Sequence, residues 1–109
     1  MKKVMLIVKS GPGARSRVEE ALRLSAAMLG MDYPPVLVFV DDGVECLRPG
    51  AFSDPDLWDY LRTSADLAGV HVLSESLEER GLAFSDLDLR LGATAVDTAR
   101  LAEMAAESD

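Results

Sequence analysis

Short apolar runs alternate along the chain with longer stretches in which apolar residues recur at helical spacing. Three of the runs predict strands, at Lys3–Val8, Val36–Val40 and Val70–Leu73. The segment Leu87–Leu91 alternates with period two, which predicts a fourth strand that is half-exposed. Strands that alternate with helices indicate a parallel sheet with helices on its faces.

The first two helices have clear ends in the sequence. Apolar residues recur at helical spacing over Val18–Leu29, and Gly30 ends the first helix. Asp54 can cap the second helix, and Pro55 suits its first turn because the missing N–H costs nothing there. Gly69 ends this helix.

Two spacings typical of a capping box predict the last two helices. Ser76 and Glu79 are three residues apart and predict a short helix that stops at Gly81. Thr94 and Asp97 have the same spacing and predict the start of the final helix. The predicted fold is therefore a single α/β domain over residues 1–109, with three layers (α/β/α) and a parallel sheet of four to five strands.

Composition narrows the class of protein. The chain has 109 residues, of which 49% are hydrophobic and 28% charged, as in ordinary soluble domains. Its net charge of −8 disfavours binding to nucleic acid, because phosphates would be repelled. No apolar run approaches the ~18 residues that cross a bilayer. One cysteine cannot form an internal disulfide, which fits a reducing compartment. We expect a cytoplasmic protein without nucleic-acid or membrane partners.

The predicted ligand edge lies where the strands end, since open α/β folds bind ligands at the carboxyl ends of their strands. The loop Ser10-Gly11-Pro12-Gly13 could offer backbone N–H groups to an anion, although a plain tight turn also explains it. Asp41, Asp42 and Gly43 follow the second strand, and Ser74 follows the third. Because adjacent carboxylates diverge, we expect one aspartate to cap the turn at Gly43 and the other to meet solvent or a partner subunit. No metal and no cofactor is implied.

Cys46 is the only thiol, and it follows the second strand. Arg48 could lower its pKa, but Asp41, Asp42 and Glu45 oppose a thiolate. A small buried hydrophobe is the favoured interpretation of Cys46, and a reactive thiol is the alternative. His71 lies inside the third strand, where a packed histidine is favoured over a catalytic base.

Several blocks together resemble the DsrE/DsrF-like family of sulfur-relay proteins, and the DsrF/TusC type of subunit in particular. The blocks are Phe39–Val44 (FVDDGV), Leu47–Gly50 (LRPG), Ser76–Leu82 (SLEERGL) and Ala93–Thr94. The opening strand with its Gly/Pro loop also agrees, so the resemblance covers nearly the whole chain.

The resemblance implies an α/β/α domain that assembles into trimers or hexamers, or with related DsrE-like subunits. Sulfur-carrying members of the family hold a cysteine at the end of the third strand, where it bears a persulfide. Aligned on Arg80-Gly81, that position falls at Leu73 or Ser74, and neither is a thiol. We therefore expect a non-catalytic accessory or scaffold subunit in intracellular sulfur transfer.

Two other functions remain open at this point. The first is a sulfur carrier that uses Cys46 in place of the family cysteine. The second is a binding module for a small anionic ligand or a nucleotide, using the Ser10–Gly13 loop with Asp41 and Asp42.

Overall fold

Strands and helices alternate along the chain as predicted. The computed structural model describes residues 4–11, 15–31, 35–52 and 54–107. The strands are β1 (Met5–Val8), β2 (Val36–Phe39), β3 (Val70–Leu73) and β4 (Thr94–Val96). The helices are α1 (Arg15–Gly30), α2 (Pro55–Leu67), α3 (Ser74–Glu79) and α4 (Thr98–Ala106), and 3₁₀ segments cover Asp41–Leu47, Phe84–Asp86 and Leu89–Leu91. Of the described helices, none has the length and apolarity that a membrane crossing requires.

The four strands form one parallel sheet in the order β1-β2-β3-β4. One row of paired residues crosses the whole sheet, from Val8 through Phe39 and Val72 to Ala95. Each strand therefore lies beside the strand that precedes it in sequence, and the order never reverses. The predicted α/β class is confirmed, with a sheet of four strands in the described residues.

The strand order places most of the core on one face of the sheet, which we call the front face. Parallel crossovers are right-handed, so connections that always step in the same direction lie on the same face. The front face carries α1, α2 and the connection before β4, whose side chains pack against the inward residues of the strands. Its principal buried side chains are Val8, Val18, Leu22, Leu37, Phe39, Leu57, Leu61, Val70 and Val72.

The opposite side of the sheet, the back face, is covered more thinly. There α4 places Met104 and Leu101 against Val38, Val40 and Val96. This helix supplies the third layer of the predicted α/β/α arrangement. Towards β1 the face opens, and 45% of the Ile7 side chain is exposed.

The prediction of a strand at Leu87–Leu91 is wrong. Leu87 and Leu91 are both 4% exposed and enter the front core, while Leu89 between them is 79% exposed. The alternation is real, but the backbone turns: the Asp88 carboxylate accepts from the N–H of Arg90 at 3.0 Å. Such a local side-chain hydrogen bond competes with strand pairing. The fourth strand is instead β4.

Neither predicted capping box forms, although the first pair lies within a helix and a helix follows the second pair. Ser76 lies inside α3, which begins two residues earlier, and Thr94 belongs to β4. Asp97 alone caps α4, accepting from the N–H of Arg100 at 2.7 Å. The prediction at Asp54 is confirmed, since its carboxylate accepts from the N–H of Asp56 at 2.9 Å.

Candidate functional site

The parallel sheet brings the residues that follow each strand to one edge of the molecule. Asp41 and Ser74, which follow β2 and β3, both make hydrogen bonds along this edge. The backbone N–H of Asp41 donates to Ser76 Oγ at 2.9 Å, and Ser74 Oγ donates to the carbonyl of Val96 at 3.1 Å. Asp41 and Ser74 therefore lie at the predicted edge, where each bonds to another part of the chain and not to the other. Pro12 and Gly13 of the predicted anion loop lie outside the described residues.

Asp41 adopts a left-handed backbone, with φ of +49°. Aspartate enters this region more readily than most residues because its short side chain is tolerated there. A strained backbone of this kind costs about 1–3 kcal/mol and persists where the surroundings hold it. Here the hydroxyl of Ser76 holds the Asp41 amide.

Asp42 is held by Arg80, which belongs to the Ser76–Leu82 block but was not predicted as a site residue. Arg80 donates to Asp42 Oδ1 through Nη2 at 2.9 Å and Nε at 3.3 Å, and to the carbonyl of Ser76 at 3.2 Å. The hydrogen bond to Asp42 raises the pKa of Arg80. We call Asp41, Asp42, Ser76 and Arg80 the edge cluster. Among the described residues, no group of three or more His, Cys, Asp or Glu could hold a metal ion.

Gly43 is required by a close approach of two backbones. A Cβ at this position would lie 2.1 Å from the carbonyl oxygen of Val8, closer than any side chain permits. The Gly43 N–H donates to the carbonyl of Val40 at 2.8 Å, so the backbone itself closes the turn that an aspartate was expected to cap. Gly43 thus packs the 3₁₀ segment across the end of β1.

Cys46 is buried and neutral. Only 1% of the residue is exposed, and its Sγ donates to the carbonyl of Ser10 at 3.5 Å. Burial, with a smaller contribution from the nearby Glu45 carboxylate, raises the pKa of the thiol to about 12. Arg48 does not offset this effect, because its guanidinium pairs with Glu45 at 3.1 Å.

Glu75 ties the start of α3 to the start of α4. Its Oε2 accepts from the N–H of Thr98 at 3.0 Å and from Thr98 Oγ1 at 2.6 Å. These two bonds lower the pKa of Glu75, so its carboxylate is charged at neutral pH. Together with Ser74, this residue fixes the end of β3 against β4.

His71 lies on the back face, in the middle of β3. Burial is the main cause that lowers its pKa, and the charge of Arg100 on α4 adds to it. Its buried Nδ1 has no hydrogen-bond partner in the described part of the chain. The ring is therefore neutral at pH 7 and packs as the sequence favoured.

Comparison with known proteins decides the family. The model of the DsrE/DsrF-like family matches residues 2–109. The chain belongs to the DsrE/DsrF-like family. The crystal structure of the ychN protein from E. coli has the same fold, with a TM-score of 0.80 at 18% identity over 100% of this chain and 96% of that one. No curated protein sequence matches the chain.

Two of the blocks that carried the DsrE/DsrF-like resemblance touch each other in space. The first, Phe39–Val44, supplies Asp41 and Asp42 to the edge cluster, and the second, Ser76–Leu82, supplies Ser76 and Arg80. The two blocks are thus complementary halves of one contact.

The end of β3 in this DsrE/DsrF-like chain carries no sulfur. Leu73 is half-buried and packs against the back-face cluster. Ser74 follows it as the first residue of α3, with its hydroxyl engaged by β4. Both side chains contribute to packing and hydrogen bonding at the edge.

Proposed function

We propose that this chain is an accessory subunit of the DsrF/TusC type in cytoplasmic sulfur transfer, without a catalytic role of its own. The observation that carries the proposal is the chemistry of Cys46, the single thiol of the chain. Membership of the DsrE/DsrF-like family supports a role in sulfur relay, and the residues at the end of β3, Leu73 and Ser74, cannot form a persulfide.

The remaining thiol is poorly suited to replace the family cysteine. A thiolate, not a thiol, takes up sulfur. With a pKa of about 12 for Cys46, roughly one molecule in 10⁵ would carry a thiolate at pH 7. The side chain is also buried, so a donor protein would have to open the fold to reach it.

An accessory subunit would act through its surface. The back face near β1 presents half-buried Met5 and Val36 beside exposed Ile7, on a sheet that α4 covers only in part. Such an apolar sheet surface favours self-association into a trimer or hexamer, or assembly with related DsrE-like subunits.

Persulfide loading tests the absence of a catalytic role. The native protein is incubated with a cysteine desulfurase and cysteine, and its intact mass is measured before and after reduction. We expect no reducible gain of one sulfur atom on the wild type. Ser74→Cys should gain it, because the new thiol lies at the half-buried sheet edge, whereas Ser85→Cys gives a control cysteine on the exposed 3₁₀ segment Phe84–Asp86.

A reducible sulfur adduct on the native wild type would contradict the proposal. If that adduct disappears in Cys46→Ala, the alternative function of a carrier using Cys46 is supported instead. Light scattering on the same samples tests assembly, since a strict monomer at micromolar concentration would contradict self-association.

A further inference from the structure

A small cavity opens beside the end of β1, and no residue of the edge cluster lines it. Its volume is about 200 Å³. Three of its lining residues are apolar, two are basic and one is a serine. The lining residues are Ile7, Val8, Lys9, Ser10, Arg17 and Ala21.

The charge of this cavity is unusual for so acidic a chain, which has 19 acidic and 11 basic residues. Most of the described basic side chains are paired with a carboxylate. The paired residues are Arg23, Arg48, Arg80, Arg90 and Arg100. Lys9, Arg17 and Arg62 have no ion pair within the described residues, and the first two of these line the same cavity.

We propose that this cavity binds a small oxyanion. The guanidinium of Arg17 can donate two parallel hydrogen bonds to an oxyanion, and Lys9 adds a compact positive charge. Ser10 also lines the cavity and carries a hydroxyl that can donate a hydrogen bond. Within the described residues no carboxylate forms an ion pair with Lys9 or Arg17, so an oxyanion would supply the missing negative charge.

The volume restricts the class of ligand. The cavity of about 200 Å³ has the volume of about seven liquid waters at ~30 Å³ each. It is smaller than the ~300 Å³ at which pockets for drug-sized molecules begin. Inorganic phosphate, sulfate, thiosulfate or a short carboxylate fits this space, whereas a nucleotide exceeds it. The site shares Ser10 with the anion site predicted from the sequence, but Asp41 and Asp42 do not line it.

Titration followed by amide chemical shifts tests the site. The full-length protein is titrated separately with inorganic phosphate and with thiosulfate, with sodium chloride adjusted to keep ionic strength constant. We expect saturable shifts at the amides of Lys9, Ser10 and Arg17 with at least one of the two. Arg17→Gln and Lys9→Gln should each weaken binding about tenfold, as the loss of one charged hydrogen-bond donor does.

Arg62→Gln is the matched control, because it removes the same charge from an exposed side chain on α2 that does not line the cavity. It should leave the affinity unchanged. Shifts that never saturate, or an equal loss of affinity in Arg62→Gln and Arg17→Gln, would overturn the proposal. Lys9 and Arg17 are exposed, so both variants are expected to fold, and their thermal unfolding checks this. The outcome is independent of persulfide loading, which concerns other residues.

Discussion

The two faces of the sheet differ more than any other pair of regions in this molecule. Within the described residues the front-face cluster contains 15 buried residues, whereas the back-face cluster contains four. The same strands form both faces, so the difference in the number of buried residues does not arise from which strands are present. It arises from the strand order, which sends every crossover to the front.

The contrast shows that strand order determines how much apolar surface each face of the sheet buries. The front face supplies most of the hydrophobic burial that stabilises the fold. The back face keeps apolar side chains such as Ile7 accessible, at some cost in stability. The same strand order has no point of reversal, which is where open sheets form their ligand crevice.

Truncation of Phe39 should have the largest effect. This side chain is fully buried at the centre of the front face, and Phe39→Ala is expected to lower the free energy of unfolding by about 3–5 kcal/mol. Urea denaturation followed by circular dichroism measures it. Ile7→Ala on the back face is the control and should cost about 1 kcal/mol or less. Equal losses in the two variants would contradict the contrast between the faces.

A methyl group at Gly43 should have the next largest effect. It would collide with the carbonyl of Val8, so Gly43→Ala is expected to cost about 1–3 kcal/mol by overpacking where the 3₁₀ segment closes the front core. Gly11→Ala is a graded control, because its Cβ would lie 3.1 Å from the Asp42 carbonyl oxygen. If the Gly11 variant were the less stable by urea denaturation, the close approach at Gly43 would not be the controlling contact.

The smallest effect should be a pH dependence from the back face. Folding lowers the pKa of His71, so below its unfolded value of about 6.5 the unfolded chain binds the proton more readily. Stability should therefore fall as the pH drops from 7 to 5. The pKa values of Glu75 and Asp88 are also lowered, from 4.5 and 3.8, and these groups act only at lower pH.

Replacing the imidazole isolates this contribution. His71→Asn should show a flatter profile of unfolding free energy between pH 7 and pH 5 than the wild type. An unchanged slope in the variant would assign the pH dependence to other groups.

Much of the fold was predictable because the hydrophobic pattern reports burial directly. β1, β2 and β3 are short apolar runs, and the apolar face of α1 repeats at helical spacing. A strand was wrongly predicted at Leu87–Leu91 because the hydrophobic pattern cannot distinguish a turn from a strand when both bury alternate residues, and Asp88 bends the backbone there. The real fourth strand, β4, was missed because Thr94–Val96 is too short and too exposed to show a strand pattern.

The sequence predicted where the candidate site lies in the fold, but not which side chains contact each other there. The strand ends identified Asp41, Asp42 and Ser74, since parallel strands must finish at one edge. The pairing of Asp42 with Arg80 spans 38 residues and depends on the direction of α3, which no local pattern encodes. Likewise Ser76 was expected to cap its own helix, but its hydroxyl accepts from Asp41 instead.

The edge cluster also constrains the order in which contacts can form while the chain is being synthesised. Asp41 and Asp42 leave the ribosome 35 and 38 residues ahead of the groups that hold them. The Asp41 amide gains its hydroxyl partner only once Ser76 has been synthesised, and the Asp42 carboxylate gains its guanidinium partner only once Arg80 has been. These two contacts of the edge can therefore form only after the chain has been extended through α3 to Arg80.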